Sequence, residues 1–132
     1  MRRAIILSRT SIKDSDAYVR DHLCEWYKSR AEEKLREKMN RYAKVLGVTP
    51  KSFRIRNYKS RWGGCSVHGE ITYNWRILMA PNRIVDYVVA HELCHLIEHN
   101  HAERYWKNVE RVIPDWRECR DWLRIHGDRL VV

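Results

Sequence analysis

Ile84-Val85-Asp86-Tyr87-Val88-Val89-Ala90-His91-Glu92-Leu93-Cys94-His95 is the stretch whose reading decides the fold. Its first seven residues are apolar on most sides, as expected of a helix buried inside a domain. Residues four apart on an α-helix share a face and lie about 6 Å apart along the axis. His91 and His95 can therefore aim two imidazoles at one metal ion. Glu92 stands beside them, where a carboxylate can hold a water and accept its proton. The plainer reading is an ordinary helix whose histidines are exposed or paired. Against it stands the cost of placing two histidines and a glutamate on a buried helix without partners. Cys94 lies between the ligands in sequence, but helix geometry rotates it off their face and into packing.

A catalytic zinc takes three protein ligands and leaves a position open for water. The candidates after His95 are Glu98, His99, His101 and Glu103. On a continued helix His99 would sit about 12 Å along the axis from His91, too far for three imidazoles to converge. His101 comes within reach if the chain turns after Glu98 or His99, and Asn100 tolerates the left-handed backbone such a turn can use. His91, His95 and His101 have the metzincin spacing, although Glu98 stands where that pattern has glycine. Glu98 is the rival third ligand, since a later Glu completes other His-Glu-His zinc sites.

Working outward, the period changes. Ser52 to Arg56 and Glu70 to Trp75 alternate, and Arg61-Trp62-Gly63-Gly64-Cys65 lies between them, followed by a turn-like Ser66-Val67-His68-Gly69. This predicts a small antiparallel sheet of about three short strands. Upstream, Ser15-Asp16 can cap a helix from Ala17 to about Leu46, with Gly47 as its stop signal and room for a break near Tyr27-Ser29. Downstream, one helix is expected from about His101 to Val112. Another follows Pro114-Asp115 through Leu123, closed by Gly127. Met1 to Ser8 reads as a strand or arm, too short for a signal-peptide core. Trp26, Trp106 and Trp122 fall at helical spacing and are expected in the core. The whole is an α+β chain read as one domain over residues 1–132.

The four cysteines form no Cys-x-x-Cys pair, so neither a zinc ribbon nor a thioredoxin-type site is suggested. No segment approaches the roughly 18 apolar residues needed to span a membrane. Reduced thiols and a cytoplasmic location are the expectation. The net charge of +9 favours encounters with anionic partners, nucleic acid among them, or simply solvates the surface.

Tyr87 to His95, followed by Asn100-His101 and Tyr105-Trp106, resembles the YgjP-like metal-dependent hydrolases, a zincin-type branch of the metallopeptidases. Lys59-Ser60-Arg61-Trp62-Gly63-Gly64-Cys65-Ser66 and Asn74-Trp75-Arg76-Ile77 match a second signature of that family, and Pro114-Asp115 with Trp122-Leu123 match its ending. The resemblance implies a zincin-like catalytic domain, with His91, His95 and His101 as ligands of Zn2+ or another divalent ion and Glu92 as general base. Gly64 stands where the family commonly has serine, and Ala102 where a serine usually follows the third histidine.

Arg61, Trp62 and Asn74 are the candidates for substrate contact. The Gly63-Gly64 pair either admits a close backbone approach or marks a bulge. Tyr73, Asn74, Tyr87, Tyr105 and Arg61 are the donors that could stabilise an oxyanion. The leading expectation is hydrolysis of a peptide or protein. A second, implied by the resemblance because some members of that family are described so, is nucleoside triphosphate (UTP) pyrophosphatase activity at the same site, with Arg61 holding phosphates. A third, motivated by the charge of +9 and by the family's similarity to SprT-like proteases, is a basic, nucleic-acid-associated SprT-like protease or binding module.

Overall fold

A computed structural model describes residues 12–58 and 61–127; the Met1 to Ser8 expectation lies outside them. The first helix, α1, runs unbroken over Ile12–Leu46, so the break near Tyr27-Ser29 does not occur. It also starts upstream of Ser15-Asp16, which therefore does not cap it. At 35 residues it is roughly 52 Å long. Its second half is the buried part, with Cys24 and Tyr27 adding partly buried contacts just before it. Ala31, Leu35, Met39, Ala43 and Leu46 form the buried stripe, at the three- and four-residue spacing that keeps side chains on one face. In the first half Trp26 is 55% exposed, which corrects its expected place in the core. Gly47 ends the helix at φ +74°, and the Gly47 and Val48 amides both donate to the Ala43 carbonyl, at 2.8 and 3.0 Å. A left-handed residue at this position is a glycine role.

The sheet contains β1 (Ser52–Arg56), β2 (Gly63–Cys65) and β3 (Glu70–Asn74) in the order β1-β3-β2. Three short strands are as expected, but the sheet is mixed rather than antiparallel. β2 pairs antiparallel with β3, whereas β1 pairs parallel with it. The reason is the order. β1 and β2 are not neighbours, so two reversals of direction return β3 to the heading of β1. The β2–β3 turn is held by the Ser66 hydroxyl, which accepts from the His68 and Glu70 amides at 3.2 and 3.1 Å, and by Gly69 at φ +86°.

A 3-10 turn (Trp75–Met79) leads into α2 (Asn82–Cys94), followed by α3 (Glu103–Val112) and α4 (Trp116–His126). α2 is the hub and touches α1, the sheet, α3 and α4. Nine of its residues are buried, so each neighbour shields a different side of it. Lys38 of α1 bonds Asp86 of α2 at 2.7 Å, with Arg41 adding a second contact to the same carboxylate at 3.5 Å. The pair satisfies the charge of a lysine that is only 8% exposed. Cys94 is fully buried packing, as expected, and all four cysteines are free thiols. No helix of the described residues is long and apolar enough to cross a membrane.

Candidate metal centre

α2 ends within the motif. His95 is its C-terminal cap, and the next amides fold back onto its last turn: Leu96 to the Leu93 carbonyl, Ile97 and Glu98 to that of Cys94. The chain then reverses and returns His101 to the pair on α2. This reversal needs no left-handed Asn100, because no residue other than glycine has positive φ among the described residues. Ring nitrogens of His91, His95 and His101 all lie within 4.8 Å of one another. The Nε2 atoms of His95 and His101 face each other at 3.0 Å. Tetrahedral ligands about 2.1 Å from an ion are roughly 3.4 Å apart, so a small closure of the three rings suits a first-row divalent ion. Glu98 and His99 do not join this cluster. The Glu98 carboxylate instead lies 3.6 Å from Arg104, and its carbonyl accepts from His95 Nδ1 at 3.1 Å. That bond fixes the tautomer that leaves His95 Nε2 free to ligate.

The histidines fit a metal in chemistry as well as spacing. Nδ1 of His91 is buried with no partner in the protein, an unfavourable state for an isolated imidazole that an ion at the ring would help justify. Burial, reinforced by His95 and His101, pushes the His91 pKa down to about 3, which keeps the ring in its neutral, ligating form. Aromatic rings brace the ligands from behind. Tyr105 stacks on His95 with centroids 4.4 Å apart, and Trp106 stacks on His101 at 5.6 Å. The Tyr105 hydroxyl donates to the His91 carbonyl at 2.7 Å. Sequence reasoning noted Tyr105 and Trp106 within a motif but not this bracing, which depends on where α3 docks.

Glu92 is 8% exposed, and burial raises its carboxyl pKa to about 7 against the opposing pull of Arg61. It borders a cavity of about 300 Å³ with His91, Arg61, Trp62 and Gly63. Gly63 makes that position available. A Cβ there would lie 3.0 Å from Glu92 Cγ and 2.9 Å from the Thr72 carbonyl oxygen. The glycine therefore admits the Glu92 side chain against β2. Gly63 is also a paired strand residue, opposite Tyr73.

Of the three expected substrate contacts, Arg61 and Trp62 line the cavity. Asn74 does not. It is 2% exposed, and its amide donates to the carbonyls of Tyr58 and Arg61 at 3.0 and 3.1 Å while its oxygen accepts from the Arg76 amide. It clamps the loop that presents Arg61. The Tyr73 hydroxyl is likewise taken, donating to the Val89 carbonyl at 2.9 Å. Of the five oxyanion donors considered, only Arg61 and Tyr87 border the cavity. Arg120 and Leu123 of α4 border it too; Leu123 stood in the family's closing signature without a role, and nothing in the local sequence pointed to Arg120.

The profile of the YgjP-like family, metallopeptidase domain, matches residues 2–126. The chain belongs to the YgjP-like family. It is accordingly a metal-dependent hydrolase of the metallopeptidase kind, and its histidine cluster is suited to a divalent ion. Among solved structures, the metallopeptidase zymogen of Pyrococcus abyssi abylysin is similar with TM-score 0.61 at 27% identity, covering 70% of this chain and 92% of that one. The metallopeptidase zymogen of Methanocaldococcus jannaschii jannalysin has TM-score 0.60 at 16% identity, covering 74% and 97%; that likeness concerns the fold alone. No curated protein matches the chain. Neither the nucleotide nor the nucleic-acid expectation finds support in the family or in these relatives.

Proposed function

We propose that this YgjP-like domain is a zinc peptidase in which His91, His95 and His101 hold the metal and Glu92 is the general base. The observation that carries the reading is the convergence of the three ring nitrogens next to a buried carboxylate that borders a cavity. Zinc held by His91, His95 and His101 would supply Lewis acidity for polarising a carbonyl and activating water. Glu92 is placed to accept the proton of the attacking water and to return it to the leaving amine. The low exposure of Glu92 excludes bulk water from that exchange. Arg61, Tyr87 and Arg120 are donors on the cavity wall, and Tyr87 or one of the arginines can serve a developing oxyanion. β2 is the edge strand on this side of the described sheet, so its free backbone edge can pair with an extended peptide.

The test is Glu92→Gln. The variant is expected to bind zinc with wild-type stoichiometry and to lose peptide hydrolysis by about 10²- to 10⁴-fold. Wild-type turnover in that variant, or a wild-type protein that takes up no metal, would overturn the assignment.

A further inference from the structure

The cavity beside Glu92 carries two arginines, and the hydrolytic step as described needs at most one. Arg61 enters it from the segment before β2 and Arg120 from α4. The Arg61 guanidinium lies over the Tyr58 ring at 4.4 Å, and the Tyr58 hydroxyl is held by Thr72 Oγ1 at 3.1 Å. A Cβ at Gly64 would sit 3.3 Å from Thr72 Oγ1, a tight fit beside the hydroxyl that holds Tyr58, and 3.7 Å from the Arg61 guanidinium carbon, an ordinary contact. Arg120 lies 5.1 Å from the Trp116 ring centre and 5.9 Å from that of Trp106. Stacking uses the flat faces of a guanidinium and leaves its N–H edge to donate. Neither arginine is ion-paired with a carboxylate among the described residues. Among the described residues, Glu92 is the one carboxylate on the cavity wall. Two guanidinium groups thus face a small space in which the described acid is deeply buried.

We propose that the substrate carries a carboxylate close to the bond that is cut, gripped by Arg61 and Arg120. Its source is an acidic side chain or the C-terminal carboxylate of a peptide. The planar fork of arginine matches a carboxylate with two parallel hydrogen bonds. Trp62 and Leu123 supply an apolar wall for the methylene stem of an acidic residue. This specificity rests on the peptidase reading above.

The test uses the full chain carrying Glu92→Gln and loaded with Zn2+, so that binding is read without turnover. The probes are end-blocked hexapeptides of neutral residues, the same peptides with Glu scanned through each position, and the neutral peptide with a free C-terminus. At least one carboxylate-bearing peptide is expected to bind about 10-fold or more tightly than the blocked neutral one. Arg61→Gln and Arg120→Gln, made in the same background, are each expected to reduce that ratio. The Glu scan and the free C-terminus tell the two carboxylate sources apart. Ratios within twofold for every peptide, a preference that survives the double Arg61→Gln/Arg120→Gln variant, or tighter binding of UTP than of any carboxylate peptide would each overturn the proposal. Cleavage of the neutral peptide by the unsubstituted protein is read separately. Its absence, with the carboxylate preference intact, would count against the peptidase reading and not against the arginine pair as an anion grip.

Discussion

Two residues without acid-base chemistry set the geometry of the centre. Gly63 has no side chain, and that lets the Glu92 carboxylate lie against β2. Gly63→Ala places a methyl 3.0 Å from Glu92 Cγ and 2.9 Å from a backbone oxygen. The Thr72 carbonyl is strand backbone, so β2 shifts against β3 and Glu92 is displaced with it. The expected outcome is a kcat lower by about 10- to 100-fold with zinc content unchanged; steady-state kinetics paired with metal analysis checks both halves. Tyr105 acts at the same scale through two separable contacts, a hydroxyl on the His91 carbonyl and a ring against His95. Tyr105→Phe keeps the ring and is expected to cost about 1 kcal/mol of stability with little change in zinc affinity. Tyr105→Ala removes the brace and is expected to weaken zinc binding by about 10- to 100-fold. Equal zinc affinities for the two variants would show that the stacked ring does not position His95.

The elements differ in how firmly they are held. α1 is one helix by hydrogen bonding but uneven in packing: from Ala31 onward it is anchored in the core, whereas before that Tyr18, Leu23 and Trp26 meet solvent and Tyr27 alone of the large side chains stacks on Trp75. Tertiary burial supplies most helix stability in proteins, so these halves respond differently to substitution. Leu35→Ala, at a position with no exposure, is expected to lower unfolding free energy by about 2–5 kcal/mol. Trp26→Ser, despite the larger side chain lost, is expected to stay within about 0.5 kcal/mol of the parent. Urea midpoints measured side by side decide the point, and a Trp26 effect as large as that of Leu35 would mean that the first half of α1 is also packed. α2 shows the opposite design. Its burial on every side makes it the rigid mount for His91 and Glu92, while the third histidine of the cluster, His101, arrives on the connection to α3.

At the scale of the whole molecule, burial gives the folded state a dependence on alkaline pH. Burial first, then the Asp115 carboxylate, pushes the Cys119 thiol up to about 11; burial, then Glu92, does the same to Cys65. In the unfolded chain these thiols titrate near 9.0. The folded state therefore holds protons that the unfolded state releases between about pH 9 and pH 11. The thiol contribution is complete below about pH 9 and declines as pH rises. The melting temperature is expected to fall from pH 9 to pH 10.5, and Cys119→Ala is expected to flatten that slope. A melting temperature that rises over this interval, or a slope the substitution leaves unaltered, contradicts the assignment.

The sequence by itself determined what depends on local spacing and on single residues. His91 and His95 share a face because a helix repeats every 3.6 residues, and Gly47 ends α1 because it alone accepts the left-handed turn there at no steric cost. The strands and the later helices were legible for the same reason: periodicity and punctuation are local. Tertiary structure decided what depends on docking. It made the sheet mixed, since a strand's neighbour is set by the path of the chain and not by its own residues. It exposed Trp26 and buried Trp75, which have no local signature of burial. It turned Asn74 from a candidate substrate contact into a buried clamp, and it brought Arg120 from a distant helix to the side of Glu92. A residue's chemistry is written in its side chain, but whether its polar atoms face a substrate or the protein's own backbone is fixed only when the elements pack.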